Sequence, residues 1–248
     1  ASSSLLVQST NLMYFCFAQN SLARGINNLS SGACSIIGGG SLNTGSGAFS
    51  FVGGGQSNLA SGANSTLSGG YVGRASGDYS TLSGGYQNCS TQCYTVVGGG
   101  YRNCACAGIS TIGGGQSNLA TGARATIAGG RSNTVSGAYS FIGGGCTNTA
   151  SGACSTVGGG KSNTSSAAYS TVGGGLSNTA STYRASVLGG CANTASGGYS
   201  VVVGGRANTS SQYASFVGGG RLNRACTNNF TSVVGGFCNI ASGTFAIV

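Results

Sequence analysis

A Gly-Gly pair ends at Gly40 and recurs, ending at Gly55, Gly70 and every fifteenth residue onward to Gly220. A last pair ends at Gly236, after a step of sixteen. An unstructured low-complexity tract has no reason to keep such a register, so each fifteen residues must form one structural unit stacked on the next. Counting from the second glycine of each pair gives the remaining columns. Three residues on stands asparagine: Asn43, Asn58, Asn88, Asn103, Asn118, Asn133, Asn148, Asn163, Asn178, Asn193, Asn208, Asn223 and Asn239. Asn28 follows Gly25 at the same spacing, and Gly73 is the exception. Five residues on is a small residue, as in Ala60, Ala120 and Ala150; ten on is usually serine; twelve on is aliphatic, as in Val52, Leu67 and Ile112.

The fold that satisfies this pattern is all-β: a parallel β-solenoid, or β-roll, of about fourteen 15-residue coils. Each coil holds short β segments joined by tight turns and pairs with the next through parallel backbone ladders. Strand alternation turns the aliphatic residue, the serine two before it and the glycine two after it inward, with the small residue of the other segment facing them. Glycine permits close approach of the two sheets and positive φ at the corners. The asparagine column belongs at a corner with its side chains turned in, where they satisfy turn amides and stack on one another. Calcium binding by these asparagines lacks the acidic ligands that ion usually takes. Inward asparagines such as Asn88, Asn163 and Asn208 cannot accept a glycan although they sit in N-x-Ser/Thr triplets, whereas Asn64 lies off the column and can.

Three stretches depart from the period. The extra residue in RLNRACTNNFTSVV, at 221–234, predicts a bulge or widened turn near 228–231. Gly73 and Asp78, in YVGRASGDYS, mark a second irregular coil. Residues 1–24 precede the repeat domain of 25–248. Their apolar side chains, among them Leu12, Phe15 and Phe17, suit a cap over the open end or a contact with a neighbouring chain. This segment lacks the layout of a signal peptide, and residues 12–18 are too few to span a bilayer.

Ten Lys and Arg stand against one acid, Asp78, for a net charge of +9. That balance favours anionic partners, but the basic residues are spread out, with no Lys/Arg block, which argues against nucleic acid. Eleven cysteines in so acid-poor a chain suggest an oxidising, extracellular or particle-surface setting. Cys89 and Cys104 share a column in adjacent coils and are the disulfide candidate. Cys146 and Cys191 share a column three coils apart, too far to pair. Cys16, Cys34, Cys93, Cys106, Cys154, Cys226 and Cys238 have no assignable partner. The C-A-C of Cys104 and Cys106 alone does not make a metal site.

Two outward surfaces follow. Thr134, Thr149, Thr164, Thr179, Thr194 and Thr209, with Ser136, Ser151, Ser166, Ser181, Ser196 and Ser211 two residues later, form a Thr-x-Ser array that could order water as an ice-binding face. Leu59, Arg74, Cys89, Cys104, Leu119 and Arg224 interrupt that column elsewhere. Tyr71, Tyr86 and Tyr101 stand just after the glycine pairs in adjacent coils and should stack; Arg131, Lys161, Arg206 and Arg221 continue their column. Nine residues after the glycine come Phe49, Tyr79, Tyr94, Tyr139, Tyr169 and Tyr199, broken by Arg124 and Arg184. Aromatic and arginine side chains on a rigid sheet suit a glycan- or protein-binding surface or a subunit interface.

Catalytic groups are scarce. The chain has no histidine and no pair of carboxylates, and a cysteine nucleophile would lack its usual imidazole partner. The glycine runs are not followed by the Gly-Lys-Ser/Thr of a phosphate loop. The expectation is a protein that is not an enzyme and carries no cofactor.

Units such as NTASGACSTVGGG at 148–160 and NTASGGYSVVVGG at 193–205 resemble the head repeats of trimeric autotransporter adhesins and related repeats of phage and viral fibres. Asn148, Ala150, Gly152, Ser155, Val157 and Gly159 carry the resemblance, which extends over about residues 25–248. It implies a parallel β-roll, self-associating as a homotrimer or filament and used for attachment outside the cell or particle. Those heads are poor in cysteine, whereas this chain has eleven. A structural or adhesive extracellular fibre module is therefore the leading expectation, with an ice-binding solenoid and a glycan-binding module as alternatives.

Overall fold

A computed structural model describes residues 13–16 and 21–248. The sequence expectations for side chains of residues 1–20, including any capping by Leu12, Phe15 and Phe17, lie outside what is described. The chain divides into two compact units, residues 1–120 and 121–248. Each is a parallel β-solenoid whose coil carries two two-residue strands and two turns.

In the first unit, one ladder runs from Leu29–Ser30 through Thr44–Gly45 and Leu59–Ala60 to Leu119–Ala120, and the other through Ile36–Ile37, Phe51–Val52 and Thr66–Leu67 to Thr111–Ile112. In the second unit the corresponding ladders run from Thr134–Val135 to Ile240–Ala241 and from Thr126–Ile127 to Ser232–Val233. Among the described residues, fifteen strands of the first kind mark about fifteen coils, one more than expected. Pairing begins before Gly25: Leu22 and Ala23 lie in parallel register with Ile36 and Ile37. Ahead of them, Met13–Cys16 pairs antiparallel with Ser21–Arg24.

Alternation within each two-residue strand decides what is inside. The second strand buries its aliphatic residue completely, from Ile37 to Val233, and the first buries Ala60, Ala75, Ala150 or Ala180 opposite it. The serines ten residues after the glycine are buried between them. A core this narrow makes polar pairing strict, because a hydroxyl out of water needs a partner. Where the small residue is itself serine, the facing residue is Ser or Thr and the two hydroxyls meet: Ser30 with Ser35, Ser90 with Thr95, Ser165 with Ser170 and Ser210 with Ser215. Opposite Gly45, Ala60 and Ala75 the Oγ of Ser50, Ser65 and Ser80 has no protein partner, whereas Ser110 and Ser200, which also face alanines, bond within their own turns, Ser110 Oγ donating to Ala107 O at 2.6 Å and Ser200 Oγ accepting the Gly197 N–H at 3.1 Å.

Each corner contains a left-handed residue, and these are mostly not glycine. Val72 and Thr147 at one corner and Phe49, Tyr79, Tyr139 and Tyr169 at the other have φ between 54° and 59°. That conformation costs roughly 1 kcal/mol or more for an L-residue. It also reverses the ladder: extended residues donate to the following coil, as Thr66 N–H does to Ser80 O at 2.9 Å, whereas Tyr79 N–H donates back to Ala63 O at 2.8 Å and Ser162 N–H to Cys146 O at 2.9 Å. The expectation that glycine supplies the positive φ thus holds at the second glycine of each pair but fails at the other two corner positions, where inter-coil hydrogen bonds offset the strain.

The two expected irregularities differ in outcome. The extra residue is absorbed in the turn after Ala225: Thr227 takes φ 85°, Asn228 Nδ2 donates to Ser242 O at 2.6 Å, and Phe216 still pairs with Ser232. The coil of Gly73 and Asp78 keeps regular pairing, with Arg74–Ala75 in register with Leu59–Ala60 and Cys89–Ser90. Asp78 Oδ1 accepts the Ala63 N–H at 2.8 Å, so the carboxylate ties adjacent turns together and no distortion results.

Candidate functional site

The asparagine column is internal scaffolding. Asn163 illustrates it. Its N–H donates to Asn148 Oδ1 at 2.9 Å, its Nδ2 donates to Gly159 O at 2.8 Å and Gly175 O at 2.9 Å, and its Oδ1 accepts the Asn178 N–H at 2.9 Å. Each amide therefore closes its own turn and the turn of the next coil. Asn88, Asn163 and Asn208 are fully buried, whereas Asn64 is exposed on a corner with φ 55°.

The tyrosines and arginines grouped as one binding surface occupy both corners of the coil and both units. In the first unit Tyr71, Tyr86 and Tyr101 stack face to face, with ring centroids 5.3 and 5.0 Å apart, and Arg102 lies over the Tyr101 ring. At the opposite corner Tyr79 stacks on Tyr94 at 5.0 Å. In the second unit Arg124 donates to Tyr139 Oη at 2.6 Å and lies over its ring. Further along this corner Tyr169, Tyr183, Tyr199, Tyr213, Phe230 and Phe245 form one unbroken run, each ring 5.3–5.8 Å from the next. The Arg184 guanidinium sits 5.1–5.7 Å from the centroids of Tyr169, Tyr183 and Tyr199. Edge-to-face contacts and a cation over the ring faces hold the side chains in one arrangement while leaving them in water.

Reading single columns missed Tyr183 and Tyr213. They stand one position earlier in the coil, so they project from the same turn and fill the gaps left in the ninth column by Arg184 and Ala214. Phe230 was missed because the extra residue moves it off the fifteen-residue count.

The Thr-x-Ser array is assembled in the second unit. Thr134, Thr149, Thr164, Thr179, Thr194 and Thr209 are in direct parallel register. These threonines are half-buried along the strand, and Ser136, Ser151, Ser166 and Ser181 beside them are exposed.

Cysteines make two further features. Cys89 and Cys104 are register partners with Cα atoms 4.6 Å apart, a disulfide pairing; Cys104 and Cys106, at 5.7 Å, are also bonded. One sulfur carries one disulfide, so these are alternatives. Cys34, Cys93, Cys146, Cys154, Cys191, Cys226 and Cys238 are free thiols. Cys146 lies between Arg131 and Lys161 in adjacent coils. The Arg131 Nη2 hydrogen bond to its Sγ, 3.4 Å long, pulls the thiol below its ordinary pKa; desolvation opposes this, and the charges of Arg131 and Lys161 and a hydrogen bond from Thr147 reinforce it.

No protein-family model matches the chain, and no curated protein matches it. Among the described residues no helix is long and apolar enough to cross a membrane. The architecture is one common in structural and fibrous proteins. The head repeats of adhesins and phage fibres share it with other solenoids, and it does not single them out.

Proposed function

We propose that this protein is a non-enzymatic structural module of an extracellular or particle-surface fibre, self-associating and attaching through the aromatic–arginine corner of its second unit. The run from Tyr169 to Phe245 carries the reading. Its rings are exposed, mutually braced and interleaved with Arg184. Prearranged aromatic faces lose little entropy on binding, and flat rings suit the C–H faces of sugars while arginine pairs with sulfate or carboxylate. An anionic glycan therefore fits this corner best.

The test is binding to an immobilised sulfated polysaccharide. Tyr183→Ser with Tyr199→Ser leaves the net charge unchanged. The expected result is at least a tenfold loss of affinity with an unaltered circular dichroism spectrum. Binding that weakens only with added salt, and equally in both proteins, would reject the corner as the attachment site.

The register of Thr134 through Thr209 supports a second reading, an ice-binding face. Thermal hysteresis by the folded protein, abolished by Thr149→Leu and Thr179→Leu, would establish it over attachment; its absence in the unaltered protein would remove it.

A further inference from the structure

Cys89, Cys104 and Cys106 converge on the outward face of the first unit, all three half-buried, with every Sγ within 4.8 Å of the others. The convergence has two causes. Cys89 and Cys104 are register partners in adjacent coils, and Cys106, two residues after Cys104, emerges on the same face. Either disulfide leaves the third thiol beside it, and full reduction leaves three.

The geometry points to a soft-metal site made by these three cysteines in their reduced form, with Cu(I) the best-fitting ion. All three ligands are thiolates, which select soft ions such as Cu(I) and Zn(II) over Mg(II) or Ca(II). Metal–sulfur bonds of about 2.3 Å place three trigonal sulfurs about 4.0 Å apart, a spacing the side chains open to once reduced, from Cα atoms 4.6 Å apart for Cys89 and Cys104 and 5.7 Å apart for Cys104 and Cys106. The same-face neighbours along these columns are Arg74, Thr91 and Leu119. None is a usual fourth ligand, and the chain has no histidine. Trigonal three-sulfur coordination therefore fits better than a four-coordinate zinc site. Arg74, in register with Cys89, offsets the negative charge of a copper–trithiolate centre. On binding, three Cu–S bonds form, three S–H bonds break and three protons leave to solvent; no electron is transferred.

The site was missed in the sequence because C-A-C supplies only two ligands in a row. The third is fifteen residues away, and its place beside Cys104 reads as a disulfide pair rather than as part of a three-sulfur site.

The experiment is an anaerobic Cu(I) titration of the full chain, reduced with a phosphine, against a colorimetric Cu(I) chelator. Alkylation and mass measurement first count the free thiols. The expected result is one tight equivalent. Cys89→Ser, Cys104→Ser and Cys106→Ser each weaken it at least 100-fold, and Cys93→Ser and Cys154→Ser leave it unchanged. X-ray absorption of the one-equivalent complex should report three sulfur neighbours. The proposal fails if the tight equivalent survives Cys104→Ser, if Cys154→Ser removes it equally, if zinc binds in four-coordinate form more tightly than copper, or if the cluster resists reduction. Serine is small and the face is open, and circular dichroism of each variant checks that it folds.

Discussion

A methyl group on Gly175 would lie 2.1 Å from Gly190 O and 2.7 Å from Asn178 Nδ2, at a residue with φ +93°. A methyl group on Gly159, the first glycine of the preceding pair, would meet nothing within 4 Å. The two glycines of the motif therefore answer to different constraints, although both recur in every coil. Gly175→Ala is expected to cost about 3 kcal/mol or more, through strain and overlap with backbone that cannot withdraw. Gly159→Ala should stay within about 1 kcal/mol of the parent. Urea unfolding of both variants checks the contrast. Cys146 offers a second residue-scale outcome. The thiolate is the nucleophile, and Arg131 stabilises it, so the midpoint of the pH–rate profile for alkylation of Cys146 should lie below the usual thiol range. Arg131→Gln should move that midpoint upward and slow alkylation several-fold near neutral pH, as read by peptide mass mapping. An unmoved profile would remove Arg131 as the cause.

Within the strand and turn elements, the coil of Gly73 shows how one missing side chain is absorbed. Gly73 N–H still donates to Asn58 Oδ1 at 2.8 Å, but Gly73 has no side-chain oxygen to offer the next coil, so the asparagine ladder is interrupted. The vacated space is taken by leucine: a Cβ on Gly73 would lie 3.0 Å from Leu82 Cδ2 and 3.4 Å from Leu67 Cδ1. These two are the only leucines in an aliphatic column otherwise filled by Val and Ile. Gly73→Asn alone is therefore expected to destabilise by about 1–3 kcal/mol through overpacking. Added to Leu67→Val and Leu82→Val, it should cost less than in the parent, because the methyls it collides with are gone. A double-mutant cycle in urea measures this coupling; strict additivity would show that the leucines do not compensate for the glycine. The serine pairs follow the same logic: a hydroxyl on one inner face is matched by Ser or Thr on the other in Ser90 with Thr95 and in Ser165 with Ser170.

For the whole molecule, stacking makes stability close to a sum over coils and their neighbours. Deleting residues 161–175 joins Gly160 to Leu176 at the same place in the coil and preserves every column. The shortened chain should fold, with an unchanged dichroism spectrum per residue and a melting midpoint lowered by only a few degrees. Deleting residues 161–168 instead shifts every later inward side chain out of its column. That chain should lose its β signal and its soluble yield. Equal behaviour of the two deletions would contradict a register set by fifteen-residue coils.

The period, the inward asparagine, small and aliphatic columns, and the register of Cys89 with Cys104 could all be read from the chain, because a solenoid converts sequence spacing directly into spatial adjacency. What lay across a turn could not. Tyr183 and Tyr213 join the aromatic run from a neighbouring position of the same corner, Phe230 reaches it only after an extra residue has been accommodated, and left-handed corners are filled by residues such as tyrosine and serine because the preceding coil supplies the carbonyls whose hydrogen bonds offset the strain. The fifteen-residue repeat by itself determined a stack of β coils and which columns face inward. Only the folded structure decided which outward side chains meet, since contact on a surface depends on the angle at which each residue leaves its turn, and a residue count carries no angle.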